Sequence, residues 1–354
     1  MEHQDTVRRL LAEAAAHPAL GPRDIFKFLY QSAFGCEHLL ASRERARAMI
    51  EEEVATADPA APTAVTELDG AYARVPLAYL TLGLTADTLA HLFCLSAKGE
   101  DGGAAALAEK LAVAETLAAE GRFPFSHAVW REALSAWAAA GYPPVRHTEA
   151  YRAAYRPAYR VIARRYLAFL PLLAAIDRRL AEGRLILAVE GGSASGKTTL
   201  GALLRELYGA TVLHTDDFFL RPEQRTAERL LEVGGNFDRE RFATEVVAPL
   251  VRGGEVTFRR YDCHSRTLAP PTTVSPARLT VVEGVYSTHP DLGSYYGLSA
   301  FLAVSPTLQR ERIGRRNTPE DAARFFSEWI PRERAYFETM RTPERCDLCL
   351  TVDE

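Results

Sequence analysis

Gly191-Gly192-Ser193-Ala194-Ser195-Gly196-Lys197-Thr198 is the run in this chain whose residue types and spacing could do chemistry. It fits G-x-x-x-x-G-K-[ST], a loop whose backbone N–H groups wrap nucleotide phosphates. Glycine lets the backbone approach an anion closely, and the first-turn N–H groups and dipole of a following helix hold it. A lysine ammonium suits the β- and γ-phosphates as a compact point charge. Lys197 is one of only four lysines, with Lys27, Lys98 and Lys110, in a chain whose other cations are nearly all arginine.

Four further signals follow in chain order. His214-Thr215-Asp216-Asp217-Phe218-Phe219 puts carboxylates where a strand should end, in reach of a γ-phosphate and of an attacking hydroxyl. Asn236-Phe237-Asp238 follows the turn Gly234-Gly235, and such a pair could hold vicinal hydroxyls beneath an aromatic ring; Asn and Asp are also common turn residues. Val281-Val282-Glu283-Gly284 ends an apolar run in a carboxylate, which suits direct or water-mediated contact with Mg²⁺. Arg310-Glu311-Arg312-Ile313-Gly314-Arg315-Arg316 puts several guanidiniums on one helix, able to neutralise charge on transferring phosphates or simply to form a solvated face.

These groups need a scaffold. Leu185 to Val189 reads as a fully buried strand, and Leu200, Leu203, Leu204 and Leu207 share one helical face behind the loop. Further strands are expected at 210–213, 279–282 and 299–304 and at the C-terminus, with a helical stretch over about 308–339. Alternating strands and helices imply an α/β domain over 185–354, a parallel sheet with helices on both faces. Residues 1–182 read instead as an all-α domain, Ala-rich and without a convincing strand, ending in a helix from about Ala158 to Glu182. Gly183-Arg184 is nearly the whole connection, so the halves are expected to move as one body. The helical half would enter at the sheet end away from the loop, leaving the site open.

Composition narrows the classes. The 354 residues suffice for two domains, and the net charge of −4 gives no general attraction to nucleic acid or anionic membrane. Five scattered cysteines argue against a disulfide framework. No signal peptide or transmembrane run is evident, so a cytoplasmic location is expected.

The second half resembles the uridine kinase group of P-loop kinases, which includes nicotinamide riboside kinase, pantothenate kinase and phosphoribulokinase. The resemblance implies ATP and Mg²⁺ as cofactors, a small-molecule acceptor, and transfer of a phosphoryl group to a hydroxyl of a ribosyl- or polyol-containing metabolite. It places Gly191 to Thr198 and Thr199 on the nucleotide, with Lys197 on the phosphates. Thr198, Glu283 and Asp216 would face the metal. Asp216 would face the acceptor hydroxyl, Asp217, Phe218 and Asp238 would lie with the acceptor, and Tyr261, His264 and Arg266 match the base-contacting stretch. Arg312 would turn toward the acceptor and Arg315 toward ATP phosphates, where it would act catalytically. Two departures stand out. The Tyr261 to His264 spacing is shorter than in uridine kinases, and Asn317-Thr318-Pro319-Glu320-Asp321 replaces a further arginine pair. Kinase chemistry carries over better than uridine as the acceptor, and nicotinamide riboside, pantothenate or another metabolite stay open. So does a nucleotide-dependent switch acting through the helical half.

That half offers Glu37, His38 and His147 as residues that could meet in a polar site. It also has Tyr151, Tyr155 and Tyr159 at four-residue spacing with Arg152, Arg156 and Arg160. Helix capping and an amphipathic core account for most of this. Stacking on single-stranded RNA is the alternative, which the nearly balanced charge opposes. A regulatory, dimerising or second catalytic role is left for the half, so a homodimer is among the partners to consider.

Overall fold

The computed structural model describes residues 2–36, 42–58, 60–68, 70–97 and 103–352. Glu37 and His38 lie outside the described residues. By packing the chain divides into two compact units, Met1–Leu170 and Pro171–Glu354.

The N-terminal unit is mainly helical: α1 (Glu2–Ala16), α2 (Pro22–Phe34), α3 (Arg43–Val54), α4 (Ala86–Ala97), α5 (Gly103–Ala119), α6 (His127–Ala139) and α7 (Glu149–Tyr155). Local chemistry sets the ends. Pro22 opens α2 behind Gly21, whose N–H donates to Asp24 at 2.9 Å. Thr148 caps α7 by accepting from the Tyr151 N–H. Phe26 packs between the Trp130 and Trp137 rings, stacked on the latter at 4.5 Å, and seats α6 on α2.

The all-helical expectation needs one correction. Three short strands, β1 (Thr66–Glu67), β2 (Tyr72–Pro76) and β3 (Tyr159–Ala163), form an antiparallel sheet with Ala73 opposite Ile162 and Val75 opposite Arg160. The expected helix over Ala158–Glu182 is therefore β3, a 3₁₀ turn (Arg164–Phe169) and α8 (Leu170–Glu182). Pro157 marks the end of α7. It disfavours helical geometry at Arg156, which closes α7 at φ 44°, and the next residues, Tyr-Arg-Val-Ile, suit a strand. The tyrosine ladder is thus broken, with Tyr151 and Tyr155 on a helix and Tyr159 on a strand.

The C-terminal unit is built on five parallel strands: β4 (Leu185–Gly191), β5 (Thr211–His214), β10 (Leu279–Glu283), β11 (Leu298–Ala303) and β12 (Leu348–Thr351), ordered β12-β11-β4-β10-β5. Between β5 and β10 two antiparallel pairs, β6 (Val256–Phe258) with β9 (Thr272–Val274) and β7 (Tyr261–Asp262) with β8 (Thr267–Leu268), were not expected from the sequence. Helices include α9 (Lys197–Tyr208), α10 (Ala227–Leu231), α11 (Arg239–Phe242), α12 (Ala248–Arg252), α13 (Pro306–Arg316), α14 (Pro319–Arg324), α15 (Ile330–Met340) and α16 (Thr342–Arg345). The single stretch expected over 308–339 is cut at Asn317, where Thr318 caps a new helix begun by Pro319. Leu213, Phe218, Phe237, Phe242, Val282 and Tyr336 belong to the core cluster that fixes the strand ends. Among the described residues no helix is long and apolar enough to cross a membrane.

Candidate active site

β4 is central in the sheet, and Leu187, Ala188 and Val189 are fully buried, so the loop that follows starts from a rigid base. Gly191 leaves the strand at φ 145°, and a Cβ there would lie 2.7 Å from the Leu302 carbonyl oxygen. Gly196 turns into α9 at φ 101°. The loop thus ends at the N–H groups of a helix, as anion binding requires. The Lys197 ammonium folds back and donates to the Gly191 and Gly192 carbonyls at 2.8 and 2.9 Å. Side chains from distant helices brace the loop from outside. Glu333 accepts from the Ser193 N–H at 2.9 Å and from its hydroxyl. Gln309 donates to the Ser193 carbonyl at 2.8 Å, and Arg312 to that of Ala194 at 3.1 Å.

The carboxyl ends of β10 and β5 supply the acids. Glu283 Oε1 accepts from the Thr198 hydroxyl at 2.9 Å and pairs with His214 Nδ1 at 2.7 Å. Burial would raise the Glu283 pKa, but the His214 hydrogen bond, the Lys197 charge and Thr198 together hold it below its ordinary value. The same contact raises His214. Gly284 (φ 139°) makes room, since a Cβ would stand 1.9 Å from the Thr215 hydroxyl, which donates to the Val285 carbonyl at 2.8 Å.

Asp216 and Asp217 differ sharply. Asp217 is buried, accepts from Arg260 Nε at 2.9 Å, and its carbonyl accepts from Arg241 at 3.1 Å. The Asp216 side chain is open to solvent, yet protein surrounds it on most sides, as for a group lining a cleft. It has no hydrogen-bond or ion-pair partner among the described residues. That enclosure raises its pKa; Lys197 and His214 oppose the rise, while Glu283 and Asp217 add to it.

No family model matches the chain. Over 170 residues it is 26% identical to phosphoribulokinase from Synechocystis sp., a stretch covering 44% of this chain and 50% of the relative. The chain therefore spans about half the length of the curated relative it matches. Over that stretch the chain is thus similar to a phosphoribulokinase. Among solved structures, a possible uridine kinase from Bacillus stearothermophilus is 23% identical, with 51% of this chain and 98% of that one covered at a TM-score of 0.37. A shikimate kinase from Acinetobacter baumannii is 18% identical, with 49% and 86% covered at a TM-score of 0.29.

Within the C-terminal unit, the structure brings Lys197, Thr198, Glu283 and Asp216 to one end of the sheet. Asp238 is placed differently from a free hydroxyl-binding acid: it caps α11 and accepts from Arg241 Nε at 3.3 Å. Arg241 in turn lies 4.2 Å over the buried Phe218 ring. Tyr261 is buried, with Arg225 at 3.4 Å from its hydroxyl. His264 and Arg266 are exposed on the β7–β8 turn, where the His264 N–H donates to Asp262 at 2.8 Å. Arg312 contacts the phosphate loop itself, and Arg315 is exposed and paired with Glu311.

Sequence reasoning missed Glu333 and Gln309, whose loop partners are remote in the chain, and Arg241, which joins Asp238 to the Asp217 carbonyl. It also passed over Glu190, which directly precedes the loop and was legible as a charge ending an apolar strand. Glu190 is fully buried; it accepts from the Tyr286 N–H at 3.0 Å and from the Thr288 N–H and hydroxyl at 3.1 and 3.0 Å. Burial pushes it up to about 7, against those hydrogen bonds and the Lys197 charge.

Proposed function

We propose that the chain is an ATP-dependent kinase that phosphorylates a hydroxyl of a ribosyl- or polyol-containing small molecule. The observation that carries this reading is the unpartnered Asp216 beside a phosphate loop whose Thr198 already touches Glu283. A nucleotide switch needs the loop but not a free acid at the acceptor position.

The chemistry is positioning and charge neutralisation. Lys197 exchanges its two loop carbonyls for phosphate oxygens as the nucleotide enters. Asp216 orients the acceptor hydroxyl and takes its proton as the oxygen bonds to the γ-phosphorus and the bond to the β-phosphate oxygen breaks. Thr198, Glu283 and Asp216 offer oxygen donors that fit Mg²⁺. Held by these residues, Mg²⁺ would supply positive charge to offset that of the phosphates. Arg315 and Arg312 lie on one helix and would add cations on lid closure. The exposed hairpin with His264 and Arg266 would meet the acceptor.

The test is ADP formation across nucleosides, nicotinamide riboside, pantothenate and pentose phosphates, the last prompted by the phosphoribulokinase relative. One acceptor should raise ADP formation saturably and yield a monophosphorylated product. ATP binding without acceptor-dependent ADP formation anywhere in the panel would favour the switch.

A further inference from the structure

The N-terminal unit holds a connected group of buried polar side chains drawn from several elements. Arg74, on β2, is its centre, and its side chain is 6% exposed. Nε donates to Gln31 Oε1 at 3.0 Å and Nη1 to Glu13 Oε1 at 2.8 Å. The guanidinium lies against the rings of Tyr159 and Phe28, 4.8 and 5.3 Å from their centroids. Its third nitrogen, Nη2, is buried and has no hydrogen-bond partner among the described residues. A guanidinium carries five N–H donors in a fixed fork, so a buried, rigidly held arm is left able to donate.

A second chain of contacts meets Arg74 at Tyr159. Asp24 accepts from the Gly21 and Thr148 N–H groups, each at 2.9 Å, from the Thr148 hydroxyl at 2.7 Å, and from His147 Nδ1 at 2.9 Å. With Nδ1 committed as a donor, His147 Nε2 accepts from the Tyr159 hydroxyl at 2.8 Å. His147 also stacks on Tyr151, 4.1 Å between centroids. Burial lowers the His147 pKa and favours this neutral form.

Arg74, Glu13, Tyr151 and Tyr159 share the wall of a cavity of about 1150 Å³ within this unit, with Arg152 and Arg156 exposed around it. Glu53 also lines it but is held by Arg160 at 2.9 Å, and the exposed Glu149 and Asp58 complete its charges. Among the described residues lining this cavity, Arg74 Nη2 is the buried side-chain nitrogen without a hydrogen-bond partner, while Glu13 Oε1 and Gln31 Oε1 accept from its other two nitrogens.

We propose that this pocket is a second small-molecule site, in which Arg74 receives the carboxylate or phosphoryl oxygens of a small organic anion, against Tyr151 and Tyr159. It needs no nucleotide and is separate from the chemistry at Lys197.

The test uses the full chain labelled with ¹⁵N-histidine and follows the His147 ring nitrogens during titration with inorganic phosphate, ribose 5-phosphate and succinate. His147 touches the pocket wall through Tyr151 and Tyr159, and the Lys197→Ala variant separates its response from phosphate bound at the loop. At least one probe should shift His147 saturably, equally in wild type and Lys197→Ala. Affinity should fall about tenfold or more in Arg74→Gln, as for loss of a charged hydrogen bond. Arg74→Lys keeps a cation beside Glu13 should the first variant fail to fold, and it should also bind about tenfold more weakly, because the second arm is gone. Binding of the two phosphates alone assigns a phosphate ester, and binding of succinate alone a carboxylic acid. No shift with any probe, or unchanged affinity in folded Arg74→Lys, overturns the proposal.

Discussion

The phosphate loop and the Arg74 cluster both bury charge, but they satisfy it with different parts of the chain. Around the loop, side chains bond to backbone: Lys197 to two carbonyls, Gln309 and Arg312 to two more, and Glu333 to the Ser193 N–H. The Arg74 cluster bonds mainly side chain to side chain, Arg74 to Glu13 and Gln31, His147 to Asp24 and Tyr159. A backbone-centred site can be specified by a few adjacent residues, since every peptide brings its own donor and acceptor. A side-chain cluster exists only once the whole unit has folded. The loop should therefore tolerate loss of one polar contact structurally while losing chemistry, and the cluster should do the reverse.

Lys197→Ala is the sharpest test on the loop side. Phosphoryl transfer should fall by about 10³-fold or more, as for removal of a charge aimed at the transition state. The melting temperature should stay close to wild type, because the external braces remain. Unfolding of the variant would break the comparison, showing the lysine to be structural.

Asp216→Asn comes next, with kcat lowered about 10²-fold and ATP affinity nearly intact. Asp217→Asn should cost less chemistry, because Asp217 is held by Arg260. A pH profile adds a sign. As the proposed base Asp216 works only when ionised, and the protein that surrounds it raises its pKa. Activity should therefore fall, as pH drops, at a higher pH than an exposed aspartate would give. An acid limb of kcat/KM in the ordinary aspartate range would assign the base elsewhere.

The smallest effect is expected in the other unit. Thr148→Ala removes the cap of α7 and one hydrogen bond to Asp24, and should lower stability by about 1–2 kcal/mol in denaturant unfolding. Kinase kinetics measured on the folded variant should be unchanged. A loss of turnover would tie the cluster to phosphoryl transfer.

The same contrast explains what could be read in advance. All five strands of the parallel sheet were visible because each is an apolar run bounded by turns, and Gly191 to Thr198 is contiguous. Glu333 was invisible because its contact with Ser193 spans 140 residues and nothing local marks it. His147 stood out, but Glu13, Asp24, Gln31 and Arg74 look like ordinary polar positions on a helix or strand. The four-residue tyrosine spacing suits a helix, yet Pro157 separates Tyr155 on α7 from Tyr159 on β3. Asp238 matched a family pattern in sequence, yet its neighbour Arg241 engages it as a cap.

The missing side chain at Gly284 has a consequence for how such an enzyme could diversify. With the Thr215 hydroxyl reaching past it to Val285, the ends of β5 and β10 are laced together just where Asp216 and Glu283 stand. Substitution at either lacing position would disturb both acids at once. The β7–β8 hairpin is joined by only two residue pairs, and its tip is open to solvent. Changes there, at His264 or Arg266, leave the lacing untouched. Natural variation in acceptor choice should accumulate on the hairpin, while the reacting end of the sheet stays fixed.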